Sequence, residues 1–109
     1  MPDPGDLFLF ATIRPKPAHF DDARAALDSL VPLTLAEPGC RVFAAFQSGD
    51  AGHRVLHLFE RFRDQAALDL HYAQPYTRAV FAKYEMWLSA PVDIVRLNPI
   101  SLQASAQFP

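Results

Sequence analysis

Two ionisable residues fall on surfaces that the sequence pattern predicts to be buried. Glu60 alternates with Leu58 and Phe62 along an apolar stretch, and side chains two apart on a strand share a face. His71 lies four residues after Ala67, on the apolar stripe of a predicted helix. A buried carboxylate or imidazole needs a hydrogen-bond partner. If the two side chains pair, Glu60 would fix the tautomer of His71, and the imidazole could act as a general base.

The same two residues also have a purely structural interpretation. His71 could be a core histidine bonded to Glu60 or to a main-chain carbonyl, with no role in chemistry. Glu60 could lie at the end of its strand and pair with Arg61, Arg63 or a helix N-terminus. The residue pattern leaves both interpretations open.

Side chains that could bind a substrate lie on either side of this pair. Tyr72, Tyr76 and Trp87 recur at helical spacing, which suits either a cavity for an aromatic ligand or an ordinary core. Arg14 follows the first strand and could bind an anionic or phenolic oxygen, or be solvated. With Phe62, these four residues make up the predicted substrate pocket.

The sequence contains no motif for a nucleotide, a phosphate or an acyl-transfer nucleophile: GxGxxG, GxxxxGK[ST] and GxSxG are all missing. No two of the four histidines have metal-ligand spacing on one element. Cys40 is the only cysteine, which excludes an intrachain disulfide and a cysteine metal cluster. Its position suits a small buried residue at the start of a strand. We therefore expect neither a cofactor nor a metal ion.

Length and composition indicate a single globular domain. The chain has 109 residues, half of them hydrophobic and a fifth charged, with a net charge of −2. No basic stripe is present to neutralise phosphates, so nucleic acid is not an expected partner. No apolar run approaches the roughly 20 residues of a membrane helix. The acidic, proline-rich N-terminus is unlike a signal peptide, so we expect a cytoplasmic protein.

The elements that must position Glu60 and His71 follow the order β-α-β-β-α-β. Apolar β-type runs predict strands at residues 7–13, 41–48, 54–62 and 91–97. Helical spacing predicts one helix from about His19 to Glu37 and another that begins after Asp64 and is interrupted at Pro75. This order is the ferredoxin-like α+β fold, a four-stranded antiparallel sheet with both helices on one face.

Finer features of the fold can also be predicted. Pro32 should bend or split the first helix, and Gly39 suits a left-handed cap at its end. We expect a domain over residues 7–97, with an N-terminal extension at 1–6 and a tail at 98–109 that could pack on a partner subunit.

Both faces of the predicted sheet are apolar. In the first strand Leu7 and Leu9 alternate with Phe8 and Phe10, where a half-exposed sheet would alternate with polar residues. Two helices can cover only one face, so we expect a second copy of the chain to cover the other, giving a homodimer. His57, three residues before Glu60, should point to that second face.

Three segments resemble the antibiotic biosynthesis monooxygenase (ABM) family. They are Leu-Val-Pro-Leu-Thr at 30–34 with Glu-Pro-Gly-Cys at 37–40, Phe-Glu-Arg-Phe at 59–62, and Ala-Ala-Leu at 66–68 with His71 and Pro75. The resemblance covers about residues 7–97 in order. Leu35 stands where the family commonly has Arg, and Phe62 where it commonly has Trp, so the pocket could differ in polarity and shape.

The resemblance implies a fold and a chemistry. The fold would be a dimeric α+β barrel, and the reaction would be oxidation of a small phenol or quinol by O₂ without flavin, haem or metal. His71 would be the base or the partner of the substrate oxygen, and Glu60 would orient it. Two alternatives remain: a non-catalytic barrel that binds a small apolar or aromatic ligand, and an isomerase or lyase on the same scaffold.

Overall fold

The computed structural model describes residues 5–102, in which four strands and three helices form the predicted fold. In chain order they are β1 (Leu7–Ile13), α1 (Phe20–Leu35), β2 (Cys40–Ser48), β3 (Val55–Phe62), α2 (Gln65–Ala73), α3 (Pro75–Trp87) and β4 (Asp93–Leu97), with a short 3₁₀ turn at Pro17–His19 before α1. The strands are antiparallel in the order β2-β3-β1-β4. The ferredoxin-like α+β fold is therefore confirmed, with its second helix divided in two.

The first helix begins close to the predicted position and is not split. Asp21 and Asp22 lie in its first turn, where the helix dipole favours negative charge. The helix continues through Pro32 to Leu35, and the Pro32 carbonyl accepts a hydrogen bond from the Ala36 N–H at 3.2 Å. Of the two predicted effects of Pro32, a bend or a split, the split is therefore wrong, and the bend stays a prediction.

Local sequence signals explain the break between α2 and α3. The Asp64 carboxylate accepts a hydrogen bond from the Ala67 N–H at 2.8 Å, which is the predicted N-cap of α2. Gln74 is extended because a residue before proline avoids the helical conformation. Pro75 then opens α3, at a position where its missing N–H costs nothing. None of the helices in residues 5–102 is long and apolar enough to cross a membrane.

The core lies between one face of the sheet and the helices. In β3, buried residues alternate strictly with half-buried ones, and the buried set faces the helices: Leu56, Leu58, Glu60 and Phe62. The burial of Glu60, inferred from alternation alone, is thus confirmed. Apolar side chains of β1 and α1 complete this layer: Leu7, Leu9, Ala11, Ile13, Phe20, Ala23, Leu27 and Leu30.

The opposite face of the sheet, here called the open face, is apolar and partly exposed. Phe10 lies opposite Phe59 on one side and Val95 on the other. Phe10 and Phe59 are half-buried, while Val95, Leu97 and Phe46 are exposed in the single chain. The predicted second apolar face is therefore present, and the dimer itself remains a prediction.

Candidate functional site

The buried imidazole of His71 is held by a different carboxylate from the one expected. His71 lies in the last turn of α2, and its Nδ1 is 3.1 Å from Oε2 of Glu37. The Tyr76 hydroxyl donates to the same oxygen. A carboxylate oxygen only accepts, so Nδ1 carries the proton and Nε2 has a free lone pair in the neutral ring. Glu37 and Tyr76 thus hold the tautomer in which Nε2 can accept a proton from a substrate.

The predicted hydrogen bond between Glu60 and His71 is wrong. Within residues 5–102, the Glu60 carboxylate makes no hydrogen bond or ion pair, although the residue is only 3% exposed. The arginines considered as its partners bind other acids: Arg61 pairs with Asp6, and Arg63 with Asp64. Glu60 and His71 do line the same cavity, so the structure brings them to one site without joining them.

A close approach between two backbones places Glu37 over His71. The loop after α1 runs against α2 so tightly that a Cβ on Gly39 would lie 2.2 Å from the Ala67 Cβ. His71 follows Ala67 by one helical turn on the same face, and Glu37 precedes Gly39 by two residues. Gly39 does not have a positive φ, so the predicted left-handed cap is wrong. The close packing against Ala67 explains instead why position 39 is a glycine.

Aromatic rings fix the plane of the imidazole. The centroid of the His71 ring lies 5.2 Å from that of Phe62, 5.4 Å from that of Phe43 and 5.5 Å from that of Tyr72. Such rings exclude water and allow little rotation of the imidazole. The orientation of the His71 ring is therefore fixed by its neighbours.

The cavity beside His71, here called the His71 cavity, is small and mostly apolar. Its volume is about 40 Å³, whereas a cavity that binds benzene measures roughly 150 Å³. Phe81 and Ile94 line it and are also 39% and 40% exposed, which places them on its solvent side. An aromatic substrate therefore needs these side chains to move. The wall consists of Ala11, Ile13, Leu27, Leu30, Phe43, Leu58, Glu60, His71, Tyr72, Thr77, Val80, Phe81, Tyr84, Val92 and Ile94.

Burial shifts the protonation of the acids around this cavity. It raises the pKa of Glu60 from 4.5 to about 7, and the negative charge of Glu37 adds to the rise. Burial and the Glu60 charge raise the pKa of Tyr72 to about 12, so its hydroxyl stays a donor. Burial, Glu37 and Glu60 raise the pKa of Cys40 to about 11, which keeps the thiol protonated. Near pH 7, Glu60 alone among these three exists in both protonation states.

The predicted pocket residues are only partly assembled. Tyr72 lines the His71 cavity, Phe62 packs on the imidazole, and Tyr76 bonds to the carboxylate behind it. Trp87 instead stacks on His19, with ring centroids 6.1 Å apart. Arg14 is exposed, and neither of these two lines the cavity.

Two residues of the site were missed by reasoning from the sequence. Glu37 was read as the end of a helix, and its only signal was its place in the Glu-Pro-Gly-Cys segment. Thr77 is 1% exposed and lines the cavity from α3. It precedes Val80 and Tyr84 by three and seven residues, so the same periodicity that found His71 could have placed it on a buried face.

The part of the chain from residue 5 to residue 102 has no cluster of three His, Cys, Asp or Glu side chains that could hold a metal ion. His57 lies on the open face as predicted, where its ring stacks on Phe10 at 5.5 Å and its Nε2 is 2.7 Å from the Ser48 hydroxyl. It is therefore separate from the His71 cavity.

These features define a class of protein, a ferredoxin-like α+β domain with a buried histidine beside an apolar cavity. Residues 7–83 match the family model of the antibiotic biosynthesis monooxygenases, and the chain belongs to this ABM family. Two relatives are both named "putative monooxygenase". Rv0793 of Mycobacterium tuberculosis is 37% identical over 90% of this chain and 94% of its own length. YcnE of Bacillus subtilis is 30% identical over 83% of this chain and 94% of its own length.

Solved structures agree with this assignment. The structure of Rv0793 superimposes with a TM-score of 0.82 at 33% identity, covering 91% of this chain and 99% of that one. PA3566 from Pseudomonas aeruginosa superimposes with a TM-score of 0.80 at 29% identity, covering 89% of this chain and 96% of that one. The likeness thus extends over nearly the whole domain.

Proposed function

We propose that the chain is a monooxygenase that oxidises a small phenolic or quinol-type aromatic with O₂, using no bound cofactor and working as a homodimer. The observation that carries the proposal is the buried His71–Glu37 pair beside an apolar cavity: Glu37 binds Nδ1, which leaves Nε2 without a hydrogen-bond partner in a residue that lines this cavity. Membership of the ABM family, and relatives named as monooxygenases, support an oxygenase over other uses of such a base.

The first step uses the base. His71 Nε2 takes the hydroxyl proton of the substrate, and Glu37 stabilises the imidazolium that forms. An apolar surrounding raises the energy of the resulting phenolate, which makes it a better electron donor. The phenolate gives one electron to O₂, and the superoxide and substrate radical combine through a new C–O bond.

The second step consumes the peroxide. The proton on His71 returns to the distal oxygen, giving a hydroperoxide on a ring carbon that still bears its hydrogen. His71, now neutral again, removes that C–H proton as the O–O bond breaks, which gives a quinone and hydroxide. Protonated Glu60, whose pKa is about 7, gives its proton to the hydroxide to form water. Glu60 then regains a proton from solvent and His71 loses one, which restores the starting state. One oxygen atom ends in the quinone and the other in water. All four electrons come from the substrate, so the reaction needs no external reductant.

The dimer is supported by the open face. Phe10, Phe46, Phe59, Val95 and Leu97 lie on this face of the sheet, and a second copy would cover them sheet to sheet. It also bears on activity, because β4 carries Val95 and Leu97 on this face and Ile94 on the wall of the His71 cavity. Dimer formation would thus stiffen one wall of the site.

Oxygen consumption with a panel of phenols and hydroquinones tests the proposal. We expect uptake by the purified protein, with one atom of ¹⁸O₂ in the product and one in water. The variant His71→Gln should lose at least roughly 100-fold in turnover, the usual contribution of a general base. The control His53→Gln changes an exposed histidine and should behave as the wild type.

Three results would contradict the proposal. Full turnover by His71→Gln would remove the assigned base. Product formation without O₂ would indicate an isomerase or lyase that uses the same base. Tight binding of phenols without any turnover would indicate a ligand-binding barrel in which Glu37 and His71 are structural.

A further inference from the structure

Thr77, one of the residues that line the His71 cavity, has a buried hydroxyl group with no hydrogen-bond partner among the described residues. Within residues 5–102, four buried side-chain atoms have no hydrogen bond: Thr34 Oγ1, Glu37 Oε1, His57 Nδ1 and Thr77 Oγ1. Of these four residues, Thr77 is the one that lines the cavity. A buried hydroxyl without a partner is unfavourable.

The other polar groups of the cavity are on different elements or are already used. The Tyr84 hydroxyl donates to the Ala23 carbonyl at 2.8 Å. Glu60 is on β3, His71 and Tyr72 are on α2, and Thr77 is on α3. Residues that can form hydrogen bonds therefore line the cavity on three different elements, among otherwise apolar side chains.

The charged side chains in and near the cavity wall also limit the charge that a ligand can carry. None of the fifteen residues that line the cavity is Lys or Arg, and Glu60 is the only carboxylic acid among them. Glu37 adds a second carboxylate directly behind the His71 ring. A carboxylate or phosphate on the ligand would find no cation and would face two acids, so the site favours an uncharged molecule.

We propose that Thr77 determines substrate specificity: its hydroxyl binds a second oxygen of an uncharged aromatic substrate whose first oxygen is held by His71. The substrate class is thus a neutral ring with at least two oxygen substituents. This inference rests on the proposed function only in taking the His71 cavity as the substrate site. It concerns recognition, so it can be tested without turnover.

Matched ligands isolate the contribution of the second oxygen. Each benzenediol isomer is paired with the cresol of the same substitution pattern, since the two differ only by a hydroxyl in place of a methyl group. Binding is followed by protein NMR titration under argon. Thr77→Val replaces the hydroxyl by a methyl group, and Thr77→Ser keeps it as the control.

We expect Thr77→Val to weaken binding of at least one diol by roughly 3- to 10-fold, the value of one neutral hydrogen bond. The paired cresol should change by less than about twofold, and Thr77→Ser should retain the preference for the diol. The anionic probe 4-hydroxybenzoate should bind at least roughly tenfold more weakly than p-cresol to all three proteins. NMR spectra of the free variants confirm that they are folded.

Several results would overturn the inference. If Thr77→Val binds the diol and the cresol equally more weakly, or binds both as the wild type does, Thr77 does not bind the second oxygen. Failure of the wild type to bind any diol at millimolar concentration, or good binding of 4-hydroxybenzoate, would exclude the proposed ligand class. If Thr77→Val loses affinity for the diol alone under argon, and the wild type takes up no oxygen in air, the role of Thr77 is supported and the oxygenase activity is refuted. If the wild type takes up oxygen but Thr77→Val shows no selective loss of affinity for the diol, the oxygenase activity is supported and the role of Thr77 is refuted.

Discussion

Glu60 should make the stability of this protein fall as the pH rises from 4.5 to about 7. Its pKa is raised from 4.5 to about 7, chiefly by burial and further by Glu37. Below pH 4.5 the carboxyl is protonated in both the folded and unfolded states. Between 4.5 and 7 the unfolded chain loses the proton while the folded chain keeps it, so the free energy of unfolding decreases with pH. Above about 7 the full cost of the buried carboxylate is present.

The size of this effect follows from the pKa values. At roughly 1.4 kcal/mol per pKa unit, the rise from 4.5 to about 7 corresponds to about 3 kcal/mol. Glu60→Gln removes the titration and keeps the shape of the side chain. Relative to this variant, the wild type should lose about 3 kcal/mol between pH 4.5 and pH 8. Urea unfolding at fixed protein concentration measures the difference.

A matched control separates this effect from the general pH response of the chain. Glu85 is exposed on α3, so Glu85→Gln should follow the wild type at every pH. If the difference between the wild type and Glu60→Gln does not depend on pH, Glu60 is not held neutral by its surroundings. Its assignment as the proton donor to the leaving hydroxide would then fail as well.

Two further predictions concern the orienting carboxylate and the dimer. Glu37→Gln should lower kcat roughly 10- to 100-fold, with KM within about twofold, because a charge-assisted hydrogen bond worth about 1.5–3 kcal/mol to His71 is lost. In the same variant an NMR titration should show a lower pKa for Glu60, and wild-type kcat would contradict the orienting role. Val95→Glu puts a charge on the open face and should reduce the mass measured by light scattering from twice 12.2 kDa to 12.2 kDa. Met86→Glu, a change of an exposed apolar residue on α3, should leave the mass unchanged, and a monomeric wild type would refute the dimer.

Periodicity in the sequence was sufficient to place most of the fold. Alternation in residues 55–62 put Glu60 on the helix side of the sheet, and helical spacing put His71 on a buried stripe; each is 3% exposed. The N-cap at Asp64 and the start of a helix at Pro75 could also be predicted from the sequence, because both depend on the chemistry of one or two neighbouring residues. Gly39 was misread because a glycine can serve either a left-handed turn or a close contact, and only the packed structure shows which.

The sequence by itself therefore determined the order of the elements, the two apolar faces of the sheet and the burial of His71 and Glu60. These follow from interactions between residues close together in the chain. The partner of His71 was decided by tertiary structure alone, because Glu37 lies 34 residues away and reaches the ring only where Gly39 lets its loop pack against Ala67. The size of the His71 cavity and the unpartnered hydroxyl of Thr77 were decided in the same way. Each depends on how four strands and three helices enclose a shared space, which no local pattern records.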